Sequence, residues 1–396
     1  MHKLDAKAAM SGWARPSLVK VAALADFAAN QFPVERMVLD LRDRAARSTS
    51  SMLTSLPWAG FLVDSIAQAP EGKPWVSLST DSFAVEPGDV IEVRPDTGKI
   101  ARRFRRSGNN NILFATERCN SFCMMCSQPP REIEDDWRVR HLCELVELID
   151  PDTSSLTITG GEPTLLGEGL KRVIEHCAKH LPHTHIQVLS NGRNFGEDIS
   201  LDTFLAPHPS LMWAIPLYGD HFGLHDYIVQ SSGAFAETVR GIYALEAARQ
   251  RIEIRVVLVK PVVARLPDLA RFLYRNFPFV EHVALMGTEP TGFAKAHREE
   301  LWIDPVDMQK ALSETVDFLA GHDMQVSLYN LPLCTLPKNL WPFAKRSISD
   351  WKQHYLPICE ACEVRNRCGG LFAWITSEWT SRGLRSIKGE QPCVSL

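Results

Sequence analysis

Short apolar runs alternate with longer amphipathic stretches through the middle of the chain, and this alternation predicts an architecture before any motif is considered. Six runs read as strands: Asn111-Ile-Leu-Phe-Ala115, Ser155-Leu-Thr-Ile-Thr159, His185-Ile-Gln-Val-Leu189, Trp213-Ala-Ile-Pro-Leu217, Ile252-Glu-Ile-Arg-Val-Val-Leu258 and Val280-Glu-His-Val-Ala-Leu285. Helix-length segments separate them, as a parallel α/β sheet or barrel requires. In such folds the chemistry gathers on the loops that follow the C-terminal ends of the strands. Ser190-Asn191-Gly192, Tyr218-Gly219-Asp220, Lys260 and Met286-Gly287 all fall there. Before residue 105 the pattern is less regular. A helical stretch is predicted over residues 16–31, and a β-like piece at Val90-Ile91-Glu92-Val93 between the turn signals Pro87-Gly88 and Asp96-Thr97-Gly98. The expected division is an N-terminal accessory domain over 1–107, the α/β domain over 108–320 and a cysteine-rich segment over 321–396, with no internal repeat or low-complexity tract.

Composition narrows the function classes. With 396 residues and 45% hydrophobic content the chain can bury a large core in two or three domains. A net charge of -4 lacks the basic footprint of a nucleic-acid binder. No run approaches the ~18 apolar residues of a membrane span. Val19-Lys-Val-Ala-Ala-Leu-Ala-Asp26 is interrupted by charge and does not form a signal-peptide core. The expectation is a soluble, cytoplasmic protein with neither nucleic acid nor membrane as partner. In that setting ten cysteines read as metal ligands plus a few core thiols. Cys143 and Cys177, in partly apolar helical stretches, are expected in the core.

Cys119, Cys123 and Cys126 form C-x3-C-x2-C directly after the first strand of the α/β region. Clusters of the [4Fe-4S] kind are normally held by four cysteines, so three on one loop leave one iron open to a substrate. Zinc is the rival metal, but structural zinc sites are four-coordinate and usually built from separated pairs. The second strand, Ser155–Thr159, runs into Gly160-Gly161-Glu162-Pro163-Thr164. Two glycines let backbone come close to a ligand, and the carboxylate can accept from an ammonium group.

Together these motifs resemble those of the radical S-adenosylmethionine (SAM) superfamily, whose cluster loop follows the first strand of a partial (β/α)6 barrel and whose GGEP segment ends the second. The resemblance implies a partial barrel with a small N-terminal domain, a [4Fe-4S] cluster on Cys119, Cys123 and Cys126, and SAM bound through its amine near Gly160, Gly161 and Glu162. Met125 stands where the superfamily usually has an aromatic against the adenine, a departure that a polarizable thioether can accommodate. Ser190 and Asn191 are candidates for the ribose, or simply a Ser-Asn-Gly turn bonding its own backbone. Arg255 is a candidate for the SAM carboxylate, or a partner of a structural acid. The segment Cys359-x2-Cys362-x5-Cys368 resembles the auxiliary-cluster segments called SPASM and twitch domains, with Cys334 as fourth ligand and Cys393 in reserve. It implies an auxiliary [4Fe-4S] cluster; a zinc knot on the same four thiolates is the alternative, and spacing does not separate them. Arg102-Arg103-Phe104-Arg105-Arg106 reads as a solvated face, with an acidic peptide as the other reading.

Longer stretches are similar to the radical SAM maturase HxsC of the His-Xaa-Ser system: Ala214-Ile-Pro-Leu-Tyr-Gly219, Gly233-Ala-Phe-Ala-Glu-Thr238, Val283-Ala-Leu-Met-Gly287, Leu301-Trp-Ile-Asp-Pro305, Ser347-Ile-Ser-Asp-Trp351 and Cys126-Ser-Gln-Pro-Pro130. This resemblance implies a peptide or small protein substrate carrying His-Xaa-Ser repeats, a second radical SAM maturase beside it, and a reductant protein such as flavodoxin or ferredoxin. It implies reductive cleavage of SAM to a 5'-deoxyadenosyl radical; no acid, base or hydrogen donor is assigned. The other readings are the same barrel with a small-molecule substrate, and a non-catalytic iron-sulfur or zinc regulator.

Overall fold

A computed structural model describes residues 5–28, 32–42, 53–78, 84–196, 200–347, 349 and 352–389. Cys393 and parts of segments 16–31 and 347–351 lie outside the described residues.

Among the described residues between 5 and 104, seven strands form a closed barrel, not a helix followed by a strand. Its strands are β1 (Asp5–Ser11), β2 (Ser17–Ala22), β3 (Met37–Asp40), β4 (Gly60–Val63), β5 (Trp75–Leu78), β6 (Val90–Arg94) and β7 (Lys99–Phe104), in the order β1-β5-β4-β3-β2-β6-β7. The helix expected over 16–31 is confined to Leu24–Ala28, because Ser17–Ala22 is strand. Val19 and Val21 enter one apolar cluster with Val38, Leu62 and Ile91, while Ala22 enters another with Met37, Leu39 and Phe61. A strand buried on both faces is a continuous apolar run, which periodicity cannot tell from a buried helix. The two arginines of β7 do not form a solvated face, although Arg106 in the following turn is exposed. Arg102 is buried and donates to the Ala84 carbonyl at 2.6 Å, and Arg103 pairs with Glu92 at 2.6 Å.

The α/β body is a seven-stranded sheet, every neighbouring pair parallel: β8 (Asn111–Phe114), β9 (Ser155–Thr159), β10 (His185–Leu189), β11 (Leu211–Pro216), β12 (Arg251–Leu258), β13 (His282–Gly287) and β14 (Val326–Tyr329), in sequence order. The sequence pattern predicts six strands; the seventh, β14, lies inside the segment assigned to the cysteines. It is the edge strand Val326-Ser-Leu-Tyr329, paired with β13. Alternation sets the two faces. In β10, Ile186 and Val188 are fully buried in the main core, while His185, Gln187 and Leu189 line the other face, half-buried. The helices Trp137–Val146, Glu168–His180, Ala234–Ala247, Leu266–Asn276 and Gln309–Gly321 turn their apolar stripes to that core. No helix among the described residues is long and apolar enough to cross a membrane.

Candidate functional site

The cysteine loop follows β8, and four other strand-end segments hold it. After β9, Gly161 N–H donates to the Thr116 carbonyl at 2.7 Å and Glu162 N–H to the Arg118 carbonyl at 2.8 Å. A Cβ on Gly161 would sit 2.0 Å from the Arg118 oxygen and 3.2 Å from Cys119 Cβ, so only glycine permits this approach. After β10, Arg193 donates to the Ser121 hydroxyl at 3.0 Å and to the Asn120 carbonyl, and pairs with Glu237 at 2.5 Å. After β11, the carbonyls of Ile228 and Val229, at the end of the helix Phe222–Val229, accept from Met124 N–H at 3.0 Å and Phe122 N–H at 3.1 Å. After β13, Phe293 N–H donates to the Cys126 carbonyl at 2.9 Å, beside Gly292, where a Cβ would meet that same oxygen at 2.1 Å.

The three cysteines are free, half-buried thiols. Burial and the nearby Glu162 push Cys119 up to about 12, burial and the two neighbouring cysteines push Cys123 up to about 12, and burial raises Cys126. A nearby cation would oppose these shifts. A metal would supply that cation, and coordinated thiols are deprotonated outright. The donor chemistry therefore suits a thiophilic metal group. Among the described residues, no group of three or more His, Cys, Asp or Glu side chains has the arrangement that would hold a metal ion.

Glu162 is almost fully enclosed, and burial raises its pKa. Its Oε1 accepts from Thr164 N–H at 3.0 Å, the Thr164 hydroxyl at 2.6 Å and the Ser190 hydroxyl at 2.8 Å; its Oε2 accepts from Asn191 N–H at 2.6 Å. The Asn191 side chain donates to Asn120 at 2.5 Å. The structure thus brings Gly160, Gly161, Glu162 and Asn191 against the cysteine loop and its lead-in, with Ser190 behind them on Glu162 and the Glu162 carboxylate tying two strand ends together. Met125 is buried and belongs to the main core. Arg255 projects from the middle of β12 and pairs with Glu253 at 2.7 Å and Gln187 at 2.9 Å. Glu253 in turn meets His282 at 2.8 Å, and His282 meets Ser327 at 2.9 Å, so Arg255 belongs to a polar chain across β10, β12, β13 and β14. Cys143 and Cys177 lie in the main core.

Two supports are not legible in the sequence. Asp135, fully buried, accepts from the Thr116 hydroxyl at 2.9 Å and Glu117 N–H at 2.7 Å, fixing the start of the cysteine loop. Arg193 straps its middle; its place directly after Ser190-Asn191-Gly192 at a strand end is the one signal that points to it.

A second cysteine site lies beyond β14. Cys334, Cys359, Cys362 and Cys368 line one cavity, with Tyr355 and Arg365 beside them. Cys368 Sγ accepts the N–H groups of Leu333 and Gly370, each at 3.4 Å. Burial raises Cys334 and Cys368, and each is raised further by Cys359 and Cys362. All four cysteines border this cavity, and no carboxylate lines it.

No protein-family model and no curated protein matches the chain. Among solved structures it is similar to Streptococcus suis SuiB bound to S-adenosylmethionine, at 16% identity and a TM-score of 0.44, covering 57% of this chain and 51% of that one. It is also similar to anSMEcpe with bound AdoMet and Cp18Cys peptide (16% identity, TM-score 0.41, 54% and 62% covered). A third is a radical SAM methyltransferase from Sphaerobacter thermophilus (13% identity, TM-score 0.40, 68% and 76% covered). The chain spans about half the length of SuiB.

Proposed function

We propose that this chain is a radical SAM enzyme. One observation carries the reading: the C-x3-C-x2-C loop and the Gly160-Gly161-Glu162 loop, on neighbouring parallel strands, are in main-chain contact through Gly161 and Glu162. Cys119, Cys123 and Cys126 would hold three irons of a [4Fe-4S] cluster, and SAM would take the open iron. Such a cluster would supply one electron to the sulfonium of SAM, whose C–S cleavage would give methionine and a 5'-deoxyadenosyl radical able to take hydrogen from an unactivated carbon. The chain's own residues set the stage. Gly161 lets the two loops meet, Arg193 and Asp135 hold the cysteine loop, and Glu162 fixes the ends of β9 and β10.

The finer reading is a peptide maturase of the His-Xaa-Ser type, cytoplasmic, acting with a second radical SAM maturase and a flavodoxin or ferredoxin; the sequence resemblance to HxsC supports it. Residues 1–107 would be the accessory domain, 108–320 together with β14 the radical SAM domain, and the remainder of 321–396 an auxiliary-cluster segment, in which Cys334, Cys359, Cys362 and Cys368 would hold a second [4Fe-4S] cluster. Their shared cavity and the N–H···S bonds to Cys368 support that assignment. Met125, Ser190, Asn191 and Arg255 remain proposed SAM contacts, on the superfamily resemblance alone.

Anaerobic reconstitution followed by dithionite and SAM tests the core claim. Wild type should release 5'-deoxyadenosine, and Cys119, Cys123 and Cys126 replaced together by Ala should release none. Iron-loaded wild-type protein that leaves SAM intact would overturn the assignment.

A further inference from the structure

The surface around the C-terminal cysteines has the opposite charge sign to the rest of the chain. From residue 341 onward eight Lys and Arg stand against five Asp and Glu, in a chain whose net charge is -4. Arg365 and Arg385, both exposed, line the cavity bordered by Cys334, Cys359, Cys362 and Cys368. Glu360 and Glu363 are the exposed acids next to these cysteines in the chain.

Three exposed arginines beside the site rest on neutral groups. Arg346 donates to the Asn366 carbonyl at 3.1 Å and to the Gln353 side chain. The Arg365 guanidinium lies 4.9 Å from the centre of the Tyr355 ring, and that of Arg367 5.9 Å from Trp341. Both rings are themselves anchored: the Tyr355 hydroxyl donates to the Cys368 carbonyl at 2.9 Å, and Trp341 Nε1 to the Leu333 carbonyl at 3.0 Å. Among the described residues none of the three arginines pairs with a carboxylate. Exposed arginines elsewhere do so, Arg251 with Glu281 at 2.8 Å and Arg271 with Asp268 at 3.0 Å. Ring stacking thus holds two of these cations in place while their charge stays directed to solvent.

The cysteines lie close beneath this surface. Cys359 and Cys362 are only half-buried, and Ile358, directly before Cys359, is 47% exposed. An apolar residue inside a charged rim is the ordinary layout of a protein interface.

The geometry points to this face as the docking surface of a small acidic electron-transfer protein, which delivers one electron to the metal group held by the four cysteines. The donor centre is oxidised by one electron and the metal group reduced by one; no bond or proton is exchanged. The inference rests on the radical SAM reading and says where its reductant approaches. Half-buried thiols leave a short path from the surface, a cationic face speeds the encounter with an acidic partner, and electron-transfer encounters need only a small contact. Nucleic acid would meet the same cations, but the Tyr355 and Trp341 rings already carry guanidinium groups and offer bases no free stacking platform.

Calorimetric titration of the anaerobically reconstituted full chain with an acidic bacterial flavodoxin, in its oxidised form, tests the docking. Binding should be saturable and should weaken about tenfold or more when salt is raised from about 50 mM to about 500 mM. Arg346→Gln, Arg365→Gln and Arg367→Gln together should weaken it about tenfold at low salt, whereas Lys at all three positions should keep most of the affinity. The Gln variant should retain its iron and its dithionite-driven release of 5'-deoxyadenosine, because dithionite needs no docking surface. Anaerobic mixing with flavodoxin hydroquinone should bleach the iron-sulfur absorbance, and more slowly in the Gln variant. Wild-type affinity in the Gln variant, binding insensitive to salt, equal affinity for the basic protein cytochrome c, tighter binding of a single-stranded oligothymidine, or flavodoxin binding without bleaching would each overturn the inference. Wild-type protein that binds flavodoxin yet leaves SAM intact would sink the radical-enzyme reading and leave the docking surface standing.

Discussion

The main-chain N–H of Asn191 donates to the Glu162 carboxylate at 2.6 Å, so one buried acid closes the end of β10 onto the end of β9. The same carboxylate also accepts from Thr164 and Ser190. Glu162→Ala leaves these buried donors unmatched and should lower unfolding free energy by roughly 2–4 kcal/mol, given about 1–3 kcal/mol for each unsatisfied group and partial relaxation. Urea denaturation measures it. In the fraction that remains folded and iron-loaded, SAM binding should weaken as well if Glu162 is the proposed charge-assisted acceptor of the SAM amine. Unchanged SAM affinity with a lowered unfolding midpoint would leave Glu162 a positioning residue only.

The parts of the fold legible in sequence are those where pattern is local. β10 alternates cleanly, with Ile186 and Val188 inward, and β12 alternates apolar and charged residues from Ile252 to Val256, so both read as strands. β2 does not, because Leu18 to Ala22 is apolar throughout except for Lys20, and what makes it strand is pairing with β3 and β6. The site divides the same way. Cys119, Cys123, Cys126 and Gly160 to Glu162 carry their chemistry in short spacings, whereas Arg193 acts on Ser121, 72 positions away, and Asp135 on Thr116, 19 away. Those contacts exist only once the strands are side by side.

Metal content separates the two cysteine sites. With a cluster at each, reconstituted protein should carry about eight irons per chain, four per cluster. Cys119, Cys123 and Cys126 replaced by Ala should leave about half, and Cys359→Ala with Cys362→Ala should leave the other half. In the second variant, reductive release of 5'-deoxyadenosine should persist, since the cysteine loop after β8 is held by other residues. Zinc, without iron, in the first variant would make the C-terminal site a zinc knot.

His225 should make the support of the cysteine loop sensitive to acid. It lies in the helix whose end accepts from Phe122 and Met124, its Nδ1 accepts from Tyr218 N–H at 3.2 Å, and its ring stacks on Tyr218 at 5.9 Å. Burial pulls its pKa down to about 4. The unfolded chain, with an imidazole near ~6.5, therefore binds the proton more readily, and stability should fall as pH drops from about 6.5 toward about 4. Each tenfold difference in proton affinity between the folded and unfolded chain is worth ~1.4 kcal/mol, so the loss amounts to a few kcal/mol at most. His225→Asn should flatten the dependence of the unfolding midpoint in that window; an unchanged slope would assign the acid sensitivity to other groups.

The residue that interrupts the apolar run of β2 anchors the N-terminal barrel to the α/β body. Lys20 is almost fully buried, and its Nζ meets Asp150 at 3.0 Å and the Leu148 carbonyl at 3.0 Å, just past the helix Trp137–Val146. Burial lowers the Lys20 pKa and Asp150 opposes that, so the ion pair is maintained against a desolvation cost. Lys20→Met would leave Asp150 with only Arg106, 3.8 Å away and largely open to water. It should therefore destabilise the chain by about 3–5 kcal/mol, as breaking one side of a buried pair does. Adding Asp150→Leu should recover most of that loss, because replacing both charges by apolar groups is often neutral or better. A double-mutant cycle by urea denaturation reads the coupling; additive losses would show that Lys20 acts through its carbonyl contacts and not through Asp150.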